Sequence, residues 1–258
     1  MKWGVGMKKF MLLFLILILL LILAQINNNN PKAIISKLTK LVDVHEGKLT
    51  YRINFLNVIP MADAFFSEKK TEEYNGKRVY HLAASAENLK VYSSLFKGKV
   101  TFDSYIDSQD LSPILFKERV SIAGKEDFYK EISYDQKAGI MTIAGIQRLM
   151  FSPTQDPLSA VFNIRRMNLE KIKEFEININ TNQKNYVLLG KVRPSEITVG
   201  DKKYKISIVD AIIKRRDKSP YHKSNISMVI VNDLNNLPIL IKVFASGILL
   251  NAKLIDIE

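Results

Sequence analysis

The first thirty residues constrain this chain more than any other segment. Lys2, Lys8 and Lys9 precede an unbroken apolar run over residues 10–24, and four asparagines and Pro31 follow. A basic stretch ahead of an apolar core is a membrane-targeting segment. It places the remaining chain outside the cytoplasm, or tethers it at the outer face of the membrane. The run has an intermediate length: a spanning helix takes about 20 apolar residues and a signal core roughly 7–15. Ile22 and Ala24 could flank a cleavage site, but Ile22 is bulky, and the Leu/Ile density favours retention as an anchor. The lysines lie before the run, so the N-terminus is expected in the cytoplasm and the body in the periplasm. Residues 1–26 are read as signal peptide or anchor, 27–44 as linker and short amphipathic helix, and 45–258 as one β-rich domain.

The chain has no Cys. That removes disulfides, thiolate nucleophiles and lipidation through sulfur, so an exported domain must hold itself by packing. Without Lys2, Lys8 and Lys9 the body keeps 35 of the 38 basic residues against 26 acidic ones. Such an excess favours anionic partners: the membrane itself, lipid head groups or acidic envelope polymers. An exported domain is not expected to meet nucleic acid.

From Gly47 the hydrophobic period is two. Leu49, Tyr51, Ile53 and Phe55 alternate with polar residues, as do Phe175, Ile177 and Ile179, and Tyr204, Ile206 and Ile208. Half-buried strands carry this pattern. Asn75-Gly76 is the strongest hairpin turn, with Ala123-Gly124, Ala138-Gly139 and Gly200-Asp201 as further turns. Twelve or more strand-like segments predict an all-β domain with minor α: a strongly curved antiparallel sheet or partly open barrel. One helix interrupts it near residues 156–167. Asp156 suits the N-cap and Pro157 the first position, with Leu158, Val161, Phe162 and Arg165 on one side. Before the strands, Ile34, Ile35, Leu38, Leu41 and Val42 recur at helical spacing behind Pro31.

The segment Asp156-Pro157-Leu158-Ser159-Ala160-Val161-Phe162-Asn163-Ile164-Arg165 resembles the signature of a bacterial exported family catalogued as domain of unknown function 3108. Gly47-Lys48-Leu49-Thr50-Tyr51-Arg52-Ile53 is similar to its opening strand, with Ala62 and Ala64 matching small residues after the first turn. Asp233, Leu237-Pro238 and the strand from Gly247 to Leu254 are similar to its closing pattern. The resemblance spans roughly residues 45–256. A Gly-Arg-Glu stretch of the family reads here as Gly190-Lys191-Val192. The resemblance implies an envelope protein with a curved sheet and a helix, similar in shape to lipoprotein carriers whose half-barrel shelters acyl chains. It brings no enzymatic activity. The motif positions Asp156, Pro157, Ser159, Arg165, Asp233 and Pro238 are expected to be structural, with Arg165 closing a helix C-terminus and Asp233 setting a turn.

No pattern calls for catalysis, metal or cofactor. His45, His81 and His222 are widely separated and read as surface or strand-end residues. Asp103 and Asp107 bracket a strand and read as turn residues. No Gly-x-Ser-x-Gly elbow is present. The sharpest charge feature is Lys214, Arg215, Arg216 and Lys218, either a solvated hairpin tip or a grip for anionic lipid or polymer. The functional expectation is lipid or amphiphile binding in the concavity of the curved sheet. The alternative is an envelope scaffold without a small ligand.

Overall fold

The computed structural model describes residues 31–38, 48–92, 97–181, 184–217 and 224–258. The expected anchor and the asparagine linker lie outside the described residues, as do His45, Lys218 and His222. Among the described residues no helix is long and apolar enough to cross a membrane.

Fifteen strands form one sheet. The first eight are β1 (Lys48–Phe55), β2 (Ile59–Tyr74), β3 (Lys77–Asn88), β4 (Gly98–Asp107), β5 (Pro113–Ile122), β6 (Phe128–Asp135), β7 (Ile140–Ile143) and β8 (Ile146–Leu149). Then come β9 (Thr154–Gln155), β10 (Glu174–Thr181), β11 (Lys184–Val199), β12 (Lys202–Arg215), β13 (Ser224–Val231), β14 (Leu237–Ala245) and β15 (Ile248–Ile257). Two helices accompany them, α1 (Pro31–Leu38) and α2 (Pro157–Arg166). Strands β1–β8 make one antiparallel meander and β10–β15 another, spliced where β1 pairs with β15. The short β9 adds to β10 in parallel.

Strands β8 and β9 are the two free edges of this sheet, yet only Met150–Pro153 separates them in sequence. Five peptide steps reach at most about 18 Å. The sheet must therefore curl until its edges approach, and it stops short of a closed ladder. Side chains latch the seam. Asn185 Nδ2 donates to the Leu149 carbonyl (3.1 Å) and Asn178 Nδ2 to the Pro153 carbonyl (3.2 Å). Gln136 Nε2 donates to the Thr154 carbonyl (3.1 Å), while its Oε1 accepts from the Thr154 N–H (3.0 Å).

The expected hairpin turns form. Asn75 and Gly76 both take positive φ, at 49° and 73°, and Gly200 does so at 58° between β11 and β12.

Helix α2 is wedged inside the curl, touching β3, β4, β9 and β10. Ala160 and Ile164 join a core with Ile177, Leu188, Val209 and Met228 of the C-terminal meander. Phe162 packs with Leu82 and Ile106 of the N-terminal one. The single apolar side read from the sequence is thus replaced by two, because the helix has sheet on both flanks. Its start is as expected. The buried Asp156 carboxylate accepts from Leu158 N (2.8 Å), Ser159 N (3.0 Å) and Ser104 Oγ (2.5 Å), and Ser159 Oγ accepts from the Asp156 N–H (2.9 Å). This is a capping box. Burial raises the Asp156 pKa, and these hydrogen bonds oppose the shift. The helix end is closed by Asn236 Nδ2, which donates to the Arg165 carbonyl (2.7 Å) and the Met167 carbonyl (3.1 Å). Arg165 lies in the last turn but its side chain is largely buried, and that burial lowers its pKa against the opposing influence of Tyr51 and Glu68.

The hairpin β11–β12 buries opposite faces along its length. Val192 and Val209 face α2, whereas Ile197 and Ile206 are five and three residues away and so point to the other side. Pairing with β10 ends at Lys191, followed by one bond from the Val192 N–H to the Lys173 carbonyl (2.7 Å), and beyond that β11 pairs only with β12. Pro194, with no N–H to give, sits in that stretch. Ile197, Tyr204 and Ile206 form a further core with Ile34 and Ile35 of α1, Leu237 and Leu254. Of the two outcomes open to α1, packing on the domain is the one observed. Among the described residues, the fifteen strands, α1, α2 and four cores fall within residues 31–258, all of which a chain beginning at Gln25 retains.

The capping box supplies a test. Asp156→Ala removes the cap and strands the buried Ser104 hydroxyl, and should cost about 2–3 kcal/mol in urea unfolding. Asp156→Asn, which still accepts from both backbone N–H groups, should cost less than half of that.

Candidate functional site

The space beneath α2, where the sequence expects a ligand, is occupied by the protein's own side chains: Phe162, Leu82 and Ile106 are wholly buried there. That concave face is therefore filled, and an open groove lies on the opposite, outer face. It measures about 1150 Å³ and runs across β10–β15. Strand alternation decides its lining. Ile177, Leu188, Val209 and Met228 point to α2, so Glu176, Leu189, Asp210, Ile212 and Ser227 point into the groove. Leu189 is opposite Ile212, Ile212 opposite Asn225, Asn225 opposite Phe244, and Phe244 opposite Leu249. This register lays an apolar floor across the strands, interrupted by one amide.

A charged row runs alongside. Lys191 is opposite Asp210, which is opposite Ser227, which is opposite Lys242. Asp210 is already engaged, by Arg193 Nη2 (2.6 Å) and Ser227 Oγ (2.8 Å). Burial pushes its carboxyl up, and these two donors outweigh that and hold it below the usual range. Glu176 is taken by Arg216. Lys191, Lys214 and Lys242 form no ion pair among the described residues, which leaves the groove three free cations against the single carboxylate of Glu174.

Glycine 190 shapes the back of this floor. The Phe175 ring lies over it on the α2 side, and a Cβ there would meet the ring at 2.2 Å. The Gly-Lys-Val stretch noted in the sequence therefore places its glycine under an aromatic ring and its lysine in the groove.

The basic cluster divides. Lys214 lines the groove. Arg215 pairs with Asp217. Arg216 stacks over Phe151 (5.5 Å) and bonds Asn178 and Glu176, so it fastens the seam. It is not a freely solvated tip residue, because the β8–β9 link crosses beside it.

Two readings need correction. His81 is not at the surface: it is 5% exposed, in mid-strand β3. Its Nε2 lies 2.8 Å from Asp103 Oδ1 and its Nδ1 3.3 Å from Glu72 Oε1, and its ring stacks on Tyr105 at 4.4 Å. Asp103 is accordingly a mid-strand partner and not a turn residue; the hydrogen bond with His81 lowers its pKa, against an opposing effect of burial. Burial, then Asp103 and Glu72, raise the Tyr105 phenol. Asp107 does sit in a turn, accepting from Gln109 N (2.9 Å). Cross-strand register assembled the His81 cluster, and spacing along the chain carries no sign of it. Among the described residues no group of three or more acidic or histidine side chains is arranged to hold a metal.

The motif positions converge on α2 instead of the groove. Asp156 and Ser159 start it. Tyr51 Oη donates to the Pro238 carbonyl (2.8 Å), fastening the opening strand to β14. Asp233 Oδ2 accepts from Lys205 N (2.7 Å) and secures the turn that presents Asn236 to the helix end. These contacts are structural, but the helix end that the sequence assigns to Arg165 is closed by Asn236. The profile of the protein family of unknown function DUF3108 matches residues 50–247. The chain belongs to that family. The profile begins and ends inside the span that the motifs suggested. No curated protein matches the sequence. Among solved structures, the β-barrel-like protein of domain of unknown function DUF1849 from Brucella abortus is similar at TM-score 0.55 and 8% identity, covering 84% of this chain and 98% of that one. At that identity the likeness speaks for the fold: a β-barrel-like sheet.

The His81 cluster predicts a pH signature. A carboxyl held below its unfolded value stabilises the fold above about pH 4 and loses that contribution as pH falls through the folded value. Asp103→Asn should therefore lower stability at neutral pH by under about 1 kcal/mol, the carboxyl being partly solvated. Chemical unfolding of the two proteins should converge in acid.

Proposed function

We propose that this DUF3108 protein works in the cell envelope as a binding protein for an anionic amphiphile, held in the outer groove of its sheet. The observation that carries the reading is the groove's composition: a floor of Leu189, Ile212, Phe244 and Leu249 beside three lysines without ion-pair partners. Ligand sites combine an apolar lining with a few placed polar groups, in volumes of roughly 300–1,000 Å³. An acyl chain would lie along the floor, and Lys191, Lys214 and Lys242 would meet a carboxylate or phosphate head. The targeting segment supports an envelope location, either anchored in the inner membrane facing the periplasm or periplasmic after cleavage. A binding role without a chemical step is supported by His81, whose two ring nitrogens are both engaged by carboxylates.

A scaffold role is favoured by a different observation. The edge strand β8 is exposed throughout, with Leu149 79% accessible. Open edges are templates for pairing with another chain.

Fluorescent hexadecanoic acid below its micellar concentration tests the groove, using the chain from Gln25. Replacing Lys191, Lys214 and Lys242 together by Ser should weaken binding at least about tenfold, since cation–anion contacts of this kind contribute strongly to head-group recognition. Ile212→Glu, which puts a charge on the floor, should abolish it. Unchanged affinity in both variants overturns the groove and leaves the scaffold role. Cell fractionation with the body in the cytoplasm would remove the envelope location.

A further inference from the structure

One end of the sheet carries two adjacent hairpin tips of unusual composition. Residues 53–62 (INFLNVIPMA) and 243–252 (VFASGILLNA) hold no charged side chain, in a protein that is 25% charged. The two turns lie side by side: the Leu56 N–H donates to the Leu249 carbonyl at 2.9 Å, and Phe55 is opposite Leu250. Leu56, Ile59, Phe244, Ile248 and Leu250 are all exposed there, Leu56 by 50%.

Local structure does not ask for these residues. Leu56 sits at φ 49°, the left-handed region that favours Asn or Gly, and it buries little in return. A branched side chain kept in an unfavourable conformation and in water points to a partner.

The surroundings say which. Asn225 is opposite Phe244 and Ser224 opposite Ile213, so the end of β12, with Lys214, lies at the same end of the sheet. One strand, β13, lies between β12 and β14, so they are two strand spacings apart, about 10 Å. Lys242 precedes one uncharged segment; the other lies between Arg52 and Asp63, which pair with each other and leave Lys242 and Lys214 as the free cations behind the tips. Projecting apolar tips with cations behind them match the interface of an anionic bilayer, where aliphatic and aromatic side chains enter the acyl boundary and lysines meet head groups. A protein partner would more commonly be met by a flat, closely packed face.

We infer that the paired tips of the β1–β2 and β14–β15 hairpins dock the domain on an anionic phospholipid surface. The inference goes beyond the groove and does not depend on it, although Phe244 and Leu249 belong to both. The groove's Phe244 and Leu249 adjoin the docking end, where an amphiphile could pass between bilayer and protein. The helix α1 packs at the opposite end with the Ile197 and Leu237 side chains.

The chain's one tryptophan is Trp3, so the chain from Gln25 has none. Ile248→Trp then reports on the tips and Thr198→Trp on the far end, which is basic too through Lys202 and Lys203 and serves as the control for charge alone. With phosphatidylglycerol-containing vesicles, the Ile248→Trp fluorescence should shift to the blue and be quenched by brominated acyl chains, and that of Thr198→Trp should not. The pair Leu56→Asn and Ile248→Ser lines no part of the groove, and Asn suits the left-handed position. This variant should need at least about tenfold more lipid for half-binding, with unfolding and hexadecanoic acid binding unchanged. Equal quenching at both ends, no quenching at the tips, or an unchanged lipid requirement in the double variant would overturn the inference. A dimer that the same pair of substitutions dissolves, without vesicle binding, would assign the tips to a second copy of the chain.

Discussion

The fold depends on a short tether. Strands β8 and β9 lie at opposite edges of a fifteen-stranded sheet, and four residues join them. A twisted sheet of this size can remain open, but this one cannot open further than that link allows. The curl encloses a column of space, and α2, next in sequence after β9, fills it. The seam is held by amide and guanidinium side chains in place of a backbone ladder, so Gln136, Asn178, Asn185 and Arg216 do at the edges what strand pairing does elsewhere.

A helix lodged inside a sheet has its ends buried, and buried ends need partners for their free N–H and C=O groups. Asp156 with Ser159 meets this need at the start, and Asn236 at the finish. The segments through which the chain resembles its family are those that build these two caps and the Tyr51–Pro238 contact between β1 and β14. Asp156, Ser159, Asp233 and Pro238, read from the sequence as structural, make contacts of that kind here.

Filling the inside leaves only outer surfaces open. Because α2 takes the concave face, the outer groove and the uncharged hairpin tips are the surfaces proposed for ligand and membrane. Both arise from strands that are apolar on two faces: Leu188 and Leu189, or Ala211 and Ile212, supply the core with one residue and the groove with the next. The separation of Val192 from Ile197 on opposite sides of one ribbon has the same origin. Past Lys191, β11 loses β10 as a neighbour and the ribbon is covered by α1 and the ends of β13–β15.

Local rules made much of this legible in the sequence. Period-two alternation gave the strands, Asn75-Gly76 and Gly200-Asp201 gave turns with the needed left-handed backbone, and Asp156-Pro157 gave the helix start, because each depends on residues within a few positions of one another. The clamp around His81 and the engagement of Arg216 were not legible. The partners of His81 stand 9 and 22 residues away and are brought to it by cross-strand register, and Arg216 meets Phe151 only once the sheet has curled. The curvature was legible, but the concave side that the sequence offers to a ligand is filled: sequence alone gives each strand an apolar face, and it takes the wedged helix to decide which face is filled and which is left open.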